Sequence, residues 1–417
     1  MPDINYIREN PEEIKQIMVN RGADLSVDQL LKLDKQRRDL IQQEEDLKYK
    51  KNLLSGDKPT KERIADSRQI GGRLKKVEKQ KNKAEEQYFN LLSKFPNVHQ
   101  PEVFIGKGEA DNREIKKVGQ PPKFSFKIKD YMELAGLHDL IDTERAAKVS
   151  GARFGYLKNQ AVNLQFALIQ YALDILQSSG FRPFITPVLV KKEIMEKTGY
   201  DSYTKGQDAY FLEKENLYLV GTGEHALISY HANEILNGGA LPLRYTAYSS
   251  CFRREAGSYG KDTKGILRVH QFDKLEMITL TTPEKSVEEF NFLLSLQEKL
   301  VQGLELPYRL LEVCTGDLPK PSAKVIDLEC WLPSENKYRE THSVSNCTDY
   351  QARLLNIKYR DSDNKKQHVH ILNGTGFAVG RTLIAILENN QQKDGSIKIP
   401  KSLHKYLSFK EIKSDGK

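Results

Sequence analysis

Leu33, Leu40, Leu47 and Leu54 recur every seven residues through a segment crowded with Lys, Arg, Glu and Gln. A stripe of that period has the 3.5-residue repeat of a coiled-coil seam, so a second helix must cover it. The turn signal Ser55-Gly56-Asp57-Lys58-Pro59 interrupts the pattern. Beyond it Ile70, Leu74, Val77, Ala84, Tyr88 and Leu91 alternate in steps of four and three, with Lys81 filling one slot. The short turn makes the two segments partners in an antiparallel helical hairpin over about residues 26–95. Its first helix, near 26–54, is ~43 Å long at 1.5 Å per residue. Such an arm is too thin to bury a catalytic pocket, but it can reach something large. Gly71 and Gly72 sit inside the second helix and weaken it by ~1 kcal/mol each relative to Ala. Residues 1–24 read as a short helix and a loop.

Lys48, Lys50, Lys51, Lys75, Lys76, Lys79, Lys81 and Lys83 crowd the arm, and the whole chain carries a net charge of +8. Any one lysine reads as solvated coiled-coil surface. The arm as a whole reads as an RNA-contacting surface, because charge supplies affinity for phosphates without sequence information. No apolar run reaches the ~18 residues of a membrane span, and the N-terminus MPDINYIRENPEEIKQ lacks the pattern of a secretory signal. The four cysteines, Cys251, Cys314, Cys330 and Cys347, form no C-x-x-C pair. Reduced cytoplasmic thiols are expected, with no disulfide framework and no zinc.

Length and texture divide the chain into a domain over 1–100, a Pro-, Gly- and charge-rich linker over 101–130, and a larger domain over 131–417. In the last, a helix is expected near 159–179, closed by Gly180 and followed by the β-type run FITPVLV. Further strands are expected at 209–213, 217–221, 243–252, 265–280, 308–314, 323–331, 338–344 and 368–372, and a final helix near 380–391. Strands that follow one another through short turns predict an α+β domain with a mainly antiparallel sheet flanked by helices. The basic tail 401–417 reads as a solvated end.

Residues 248–276, YSSCFRREAGSYGKDTKGILRVHQFDKLE, form the most informative stretch. An Arg-Glu strand enters a Gly- and Lys-rich turn and returns with Phe272, Asp273 and Glu276. Arg253 and Arg254, adjacent on a strand, face opposite sides, so only one can line a pocket with Glu255. An Arg there can neutralise a phosphate, a Glu can accept from an adenine amino group, and Phe272 offers a ring for the base. On composition alone this is an ordinary hairpin with a surface ion pair and a core Phe. The full string, punctuated by Gly257, Gly260 and Gly265, resembles motif 2 of class II aminoacyl-tRNA synthetases and is closest in wording to the seryl-tRNA synthetase family. The resemblance selects Arg253.

The likeness extends along most of the chain. GFRPFITPVLVKKE at 180–193, with Pro187, resembles motif 1, which in the family helps to build a homodimer. LVGTGEHAL at 219–227 resembles the Thr-Ala-Glu loop that closes over serine, with Thr222-Gly223-Glu224 here. Gly223 is expected to leave hydroxyl and carboxylate in place and loosen the loop. Read locally, the same string is a strand end with Glu224 near a helix start. YRETHSVSNCTDYQ at 338–351 resembles the family's Glu-x-x-Ser string, with Thr341 and His342 departing from it. Glu340 and Ser343 offer hard oxygen ligands suited to Mg2+ held mainly by nucleotide phosphates, whereas His342 reads as a lone satisfied histidine. NGTGFAVGRTLIAILENNQ at 373–391 resembles motif 3, read as a Gly-rich turn entering an apolar helix with Arg381 at its start.

The resemblance implies an enzyme that makes seryl-adenylate from ATP and L-serine and transfers the seryl group to tRNA-Ser, and to the selenocysteine tRNA where the cell has one. It implies Arg253 and Arg381 as catalytic residues. Arg253, Arg254, Glu255, Phe272, Glu340, Thr341, His342, Ser343 and Arg381 are implied contacts to ATP. Thr222, Gly223, Glu224, Arg253, Glu276, Asn373 and Thr375 are implied contacts to serine. It also implies a cytoplasmic homodimer with no membrane attachment. Other classes remain: an inactive RNA-binding paralogue, which loss of Arg253, Glu255 or Arg381 would favour; a carrier-protein loader, whose kind lacks the long basic arm; and a class II synthetase for another amino acid, against which Thr222, Glu224, Glu276 and Thr375 argue.

Overall fold

The computed structural model describes residues 1–55, 60–200, 203, 208–256 and 265–413. Contacts divide the chain into two units, Met1–Val98 and His99–Lys417.

The first unit opens with two helices rather than one and a loop: α1 (Ile4–Glu9) and α2 (Pro11–Asn20). Asp3 caps α1 by accepting from the Asn5 amide at 2.8 Å, and Pro11 starts α2, where its missing N–H costs nothing. The arm follows as α3 (Val27–Ser55) and α4 (Lys61–Leu92). Leu40, Leu47, Leu74, Ala84 and Tyr88 are buried along its seam. At its base Ile7, Ile14, Leu30, Tyr88, Leu92 and Phe95 share one core. The polar slot of the seam is filled by an ion pair, Lys81 Nζ reaching Glu44 Oε2 at 2.7 Å across the two helices. A buried polar pair of this kind disfavours other registers of an otherwise uniform seam. The turn signal at 56–59 lies outside the described residues.

The second unit is built on an eight-stranded sheet. In chain order its strands are β1 (Arg113–Val118), β2 (Arg182–Ile185), β3 (Leu243–Phe252), β4 (Gln271–Thr281), β5 (Tyr308–Glu312), β6 (Lys324–Leu332), β7 (Lys337–Asn346) and β8 (His370–Ala378). In space they run β1, β5, β6, β7, β8, β4, β3, β2. Every pairing is antiparallel except β2 with β3 at one edge. Helices α5 (Gln160–Ser178), α7 (Ser286–Gly303) and α9 (Val379–Asn389) pack on one face and enclose the main core, where Leu168, Leu275, Leu300 and Phe377 are fully buried. The short helices α6 (Glu224–Ile228) and α8 (Tyr350–Leu355) cover a second cluster with Ile278 and Leu280. Alternation along β4 sends Met277 to the first core and Ile278 to the second.

Four expectations are corrected. The 101–130 segment is not a free linker: β1 pairs with β5, and Val103 is buried with Val313 and Val325. Its charged REIKKV sequence hides the strand because this is a sheet edge, where lysines are favoured and alternation is not required. The tail contributes a 3-10 helix, Lys401–Tyr406, with Leu403 buried. It also supplies a strand, Glu411–Ile412, paired to Ile397–Lys398. The motif 2 return strand begins at Gln271, not at 265. Finally, Asn373-Gly374-Thr375-Gly376 is not a turn but the interior of β8. Glycine is needed there for close approach: a Cβ on Gly376 would lie 3.2 Å from the Leu275 carbonyl, and one on Gly374 3.3 Å from Met277.

A Cβ at Gly71 or Gly72 would meet nothing within 4 Å, so packing does not require either glycine. Replacing both by Ala is expected to stabilise the arm by about 1 kcal/mol per site, read in the intact chain as slower amide exchange along α3 and α4. Unchanged or faster exchange would contradict this account of the arm.

Candidate active site

A cavity of about 390 Å3 opens over the strands β4, β7 and β8. One end is cationic and aromatic. Arg253 follows the last residue of β3, and its Nε donates to the Gly221 carbonyl at 3.0 Å. This tether lays the guanidinium 5.3 Å from the centre of the Phe272 ring on β4, leaving both side chains on the cavity wall. Arg254 diverges as expected for a neighbour: it lies 4.6 Å from the Tyr210 ring and donates to the Ala209 carbonyl at 3.0 Å. Its guanidinium therefore does not line the cavity. Glu255 lines the cavity, with Arg268 Nη1 3.5 Å from its Oε2. Gly257 and Gly260 lie outside the described residues.

The other end is acidic and buried. Thr222 and Glu224 line it at the start of α6. Glu224, 4% exposed, accepts from Tyr200 Oη at 3.0 Å, Gln351 Nε2 at 3.1 Å and Asn373 Nδ2 at 3.3 Å. Burial, then the charge of Glu276, pushes its carboxyl up to about 7, against the pull of these donors and of Lys274. Glu276 is 1% exposed and is capped by the Thr222 hydroxyl and the Lys274 ammonium. Both capping groups line the cavity, whereas Glu276 itself sits beneath them. Thr375 faces the cavity from β8, in register with Glu276. Gly223 does not line the cavity. It is the buried N-cap of α6, and a Cβ there would come 3.1 Å from Ser249 Cβ.

Between the two ends, the β6–β7 register slips beside Leu328 and Glu329. The neighbours Glu340 and Thr341 therefore both reach the cavity. Arg381, in the first turn of α9, donates from Nη1 to the Glu340 carbonyl at 2.8 Å and to Oε2 at 3.1 Å. Burial raises the Glu340 carboxyl, but Arg381, with Lys274 and Arg253, holds it below the ordinary glutamate value, while half of the side chain stays open. Ser343 also lines the cavity. His342 does not: its ring turns to Phe377, 5.4 Å between centres, and burial lowers its pKa to about 3, so it is neutral. The His342 ring is thus part of the core beside the cavity, not of its wall.

This division of one cavity into a cationic, aromatic end and a buried acidic end fits the two substrates of an adenylating enzyme. Comparison with known proteins agrees. A family model of the seryl-tRNA synthetase N-terminal domain matches residues 1–99, and one of the tRNA synthetase class II core domain (G, H, P, S and T) matches 210–390. The Serine--tRNA ligase of Dictyoglomus turgidum is 43% identical over 99% of both chains. The chain belongs to the seryl-tRNA synthetases. The crystal structure of the Pyrococcus horikoshii seryl-tRNA synthetase complexed with ATP is 41% identical and matches with a TM-score of 0.92 over 99% of both chains. The cytoplasmic Serine-tRNA ligase of Naegleria fowleri, in complex with AMP, matches at 0.89 with 33% identity over 99% of both chains.

Several residues of the enzyme's site had no place in the sequence reading. Lys274 shares the two-residue alternation of Phe272 and Glu276, a signal that was available. Tyr200, His225 and Gln351 had no such signal, because their partners lie far away in sequence. His225 lines the cavity with its pKa lowered to about 3 by burial, so it is a neutral imidazole. Asp327, opposite Ser343 in the β6–β7 ladder, is pushed well above the usual carboxylate range by burial and by the Glu340 charge.

The folded enzyme holds the Glu224 proton up to about pH 7, whereas an unfolded glutamate releases it near pH ~4.3. Within that window the folded state binds more protons, so stability falls as pH rises and levels off above it. Glu224→Gln is expected to flatten this dependence by about 1–3 kcal/mol. Thermal unfolding at pH 5 and pH 8 would read it, and an equal pH response in both proteins would refute it.

Proposed function

We infer that this synthetase activates L-serine with ATP to seryl-adenylate and pyrophosphate, and then transfers the seryl group to the 3′-terminal adenosine of tRNA-Ser. The observation that carries the reading is the two-ended cavity, with Arg253 over Phe272 at one end and Thr222 with Glu224 at the other. The adenine base stacks on Phe272 and its amino group meets Glu255. The serine carboxylate is ionised at neutral pH and attacks the α-phosphorus. A carboxylate O–P bond forms, and the bond to pyrophosphate breaks. No general base and no covalent enzyme intermediate is needed. The chemistry rests on alignment and on cancelling negative charge, which Arg253 and Arg381 provide. Thr222, Glu224, Asn373 and Thr375 bind the ammonium and hydroxyl, with Glu276 behind Thr222. A site that hydrogen-bonds a substrate hydroxyl rejects analogues lacking it.

Among the described residues there is no cluster of three or more His, Cys, Asp or Glu that could hold a metal by itself. One ionised carboxylate and one hydroxyl, Glu340 and Ser343, do fit Mg2+ that takes its remaining oxygens from ATP phosphates and water. These two residues would hold it, and when bound it adds positive charge on the phosphate oxygens.

The arm binds tRNA through its lysines, reading duplex shape and backbone rather than bases. Among the described residues no helix is long and apolar enough to cross a membrane, which fits a cytoplasmic enzyme. Edge strand β2 leaves Ile185 86% exposed, and this apolar surface supports a homodimer through motif 1.

Serine-dependent ATP–pyrophosphate exchange tests the assignment. Arg253→Ala is expected to lower kcat/KM by about 100-fold or more, the loss typical for one charge-stabilising donor. Replacing residues 26–95 by a short linker is expected to preserve exchange and abolish tRNA charging. Exchange with threonine but not serine would overturn the substrate assignment.

A further inference from the structure

The β3–β4 ladder ends at Phe252 opposite Gln271, so the next residues of the cavity wall find partners elsewhere. The Arg253 amide donates to the His270 carbonyl at 3.0 Å, and His270 Nδ1 lies 2.9 Å from the Arg253 carbonyl. The Arg254 and Ala256 amides donate to Asp208, at 2.8 Å to its carbonyl and 2.9 Å to its carboxylate. Glu255, between them, has φ +50°, in the left-handed region that residues with a Cβ seldom adopt. Its carbonyl accepts from Arg153 Nη1 at 3.0 Å.

Arg153 lies 102 residues upstream. It is itself left-handed, with φ +62°. Its own carbonyl accepts from the His270 amide at 3.0 Å, and the ring of Phe154 stands 5.3 Å from that of His270. Two non-glycine residues in the same unfavourable conformation are thus joined to each other and to the strand that returns to Phe272. Such outliers persist only where their surroundings enforce them, and they gather at functional sites. Arg153 is not on the cavity wall, whereas Glu255 is.

We propose that Arg153 is a positioning residue for the nucleotide: its guanidinium fixes the Glu255 backbone in the turn that aims the carboxylate into the base end of the cavity. The proposal rests on the reading of Glu255 as the group that meets the adenine amino group, and the experiment separates the two. Arg153→Gly removes the guanidinium while keeping a residue for which the left-handed conformation carries no penalty. Arg153→Asn, which also tolerates it, replaces the glycine variant if that one does not fold.

Exchange is measured with ATP and with purine riboside triphosphate, which lacks the 6-amino group, in wild type, Arg153→Gly, Glu255→Ala and the double variant. Arg153→Gly is expected to raise KM for ATP on the order of tenfold. It should also reduce the preference for ATP over the analogue, and leave KM for serine within about twofold. Added to Glu255→Ala it should change nothing further, because no carboxylate is left to aim. Additive effects of the two substitutions on KM for ATP, or an unchanged KM in Arg153→Gly, would overturn the proposal. If Glu255→Ala keeps the base preference while the two substitutions remain non-additive, the adenine reading of Glu255 fails and the positioning role of Arg153 stands.

Discussion

Ten consecutive residue pairs, from Leu243 opposite Leu280 to Phe252 opposite Gln271, lock β3 to β4, and both ends of the active site hang from this ladder. Its far end delivers Arg253 and Phe272 to the cationic, aromatic end of the cavity. Four residues along β4 from Phe272, Glu276 is brought under the acidic end. Because side chains alternate, β4 also commits Met277 to one core and Ile278 to the other. A one-residue slip would exchange the two faces and bury the charged groups among apolar ones. The apolar packing on either side therefore fixes the register on which the chemistry depends.

The acidic end concentrates two carboxyls in a buried place, and the fold handles them differently. Glu276 has a resident ammonium, Lys274, and a hydroxyl donor, Thr222. Glu224 has neutral donors from three separate segments, Tyr200, Gln351 and Asn373. Placing a second full charge beside Glu276 in a dry pocket is unfavourable, which is why the Glu224 carboxyl titrates near neutrality. Glu224, held by neutral donors alone, is the carboxyl of this end with no cationic partner of its own. At the opposite end stands the cation Arg253, and Arg381 lies between the two ends. The cavity is polarised before either substrate enters, so little reorganisation is left for the reaction itself.

The arm obeys simpler rules. Its seam is apolar at Leu40, Leu47, Leu74, Ala84 and Tyr88, and a charged layer, Glu44 with Lys81, crosses from one helix to the other. Such a layer contributes less to stability than an apolar pair but makes shifted registers worse still. A rod with a defined register presents its lysines at fixed intervals, which recognition of a duplex by shape requires.

Local pattern was enough for much of this protein. The heptad spacing defines the arm, the alternation of Phe272 and Glu276 defines a shared strand face, and adjacency separates Arg253 from Arg254. These features are set by helix and strand geometry, which the order of residues controls directly. Other decisions needed distant partners. The charged segment at 113–118 became a strand only because β5 offered it an edge, and the tail was ordered by burial of Leu403 and by pairing with 397–398. The glycines at 374 and 376 entered a strand rather than a turn because β4 and α7 approach there too closely for a side chain. His342 left the site, and Tyr200 and Gln351 entered it, through contacts that no local period encodes. The sequence by itself determined the arm, the strand faces and the identity of most charged groups. Only the tertiary structure decided which carboxyl is paired, which is left to titrate and which arginine faces the cavity, because burial and long-range hydrogen bonds set those outcomes.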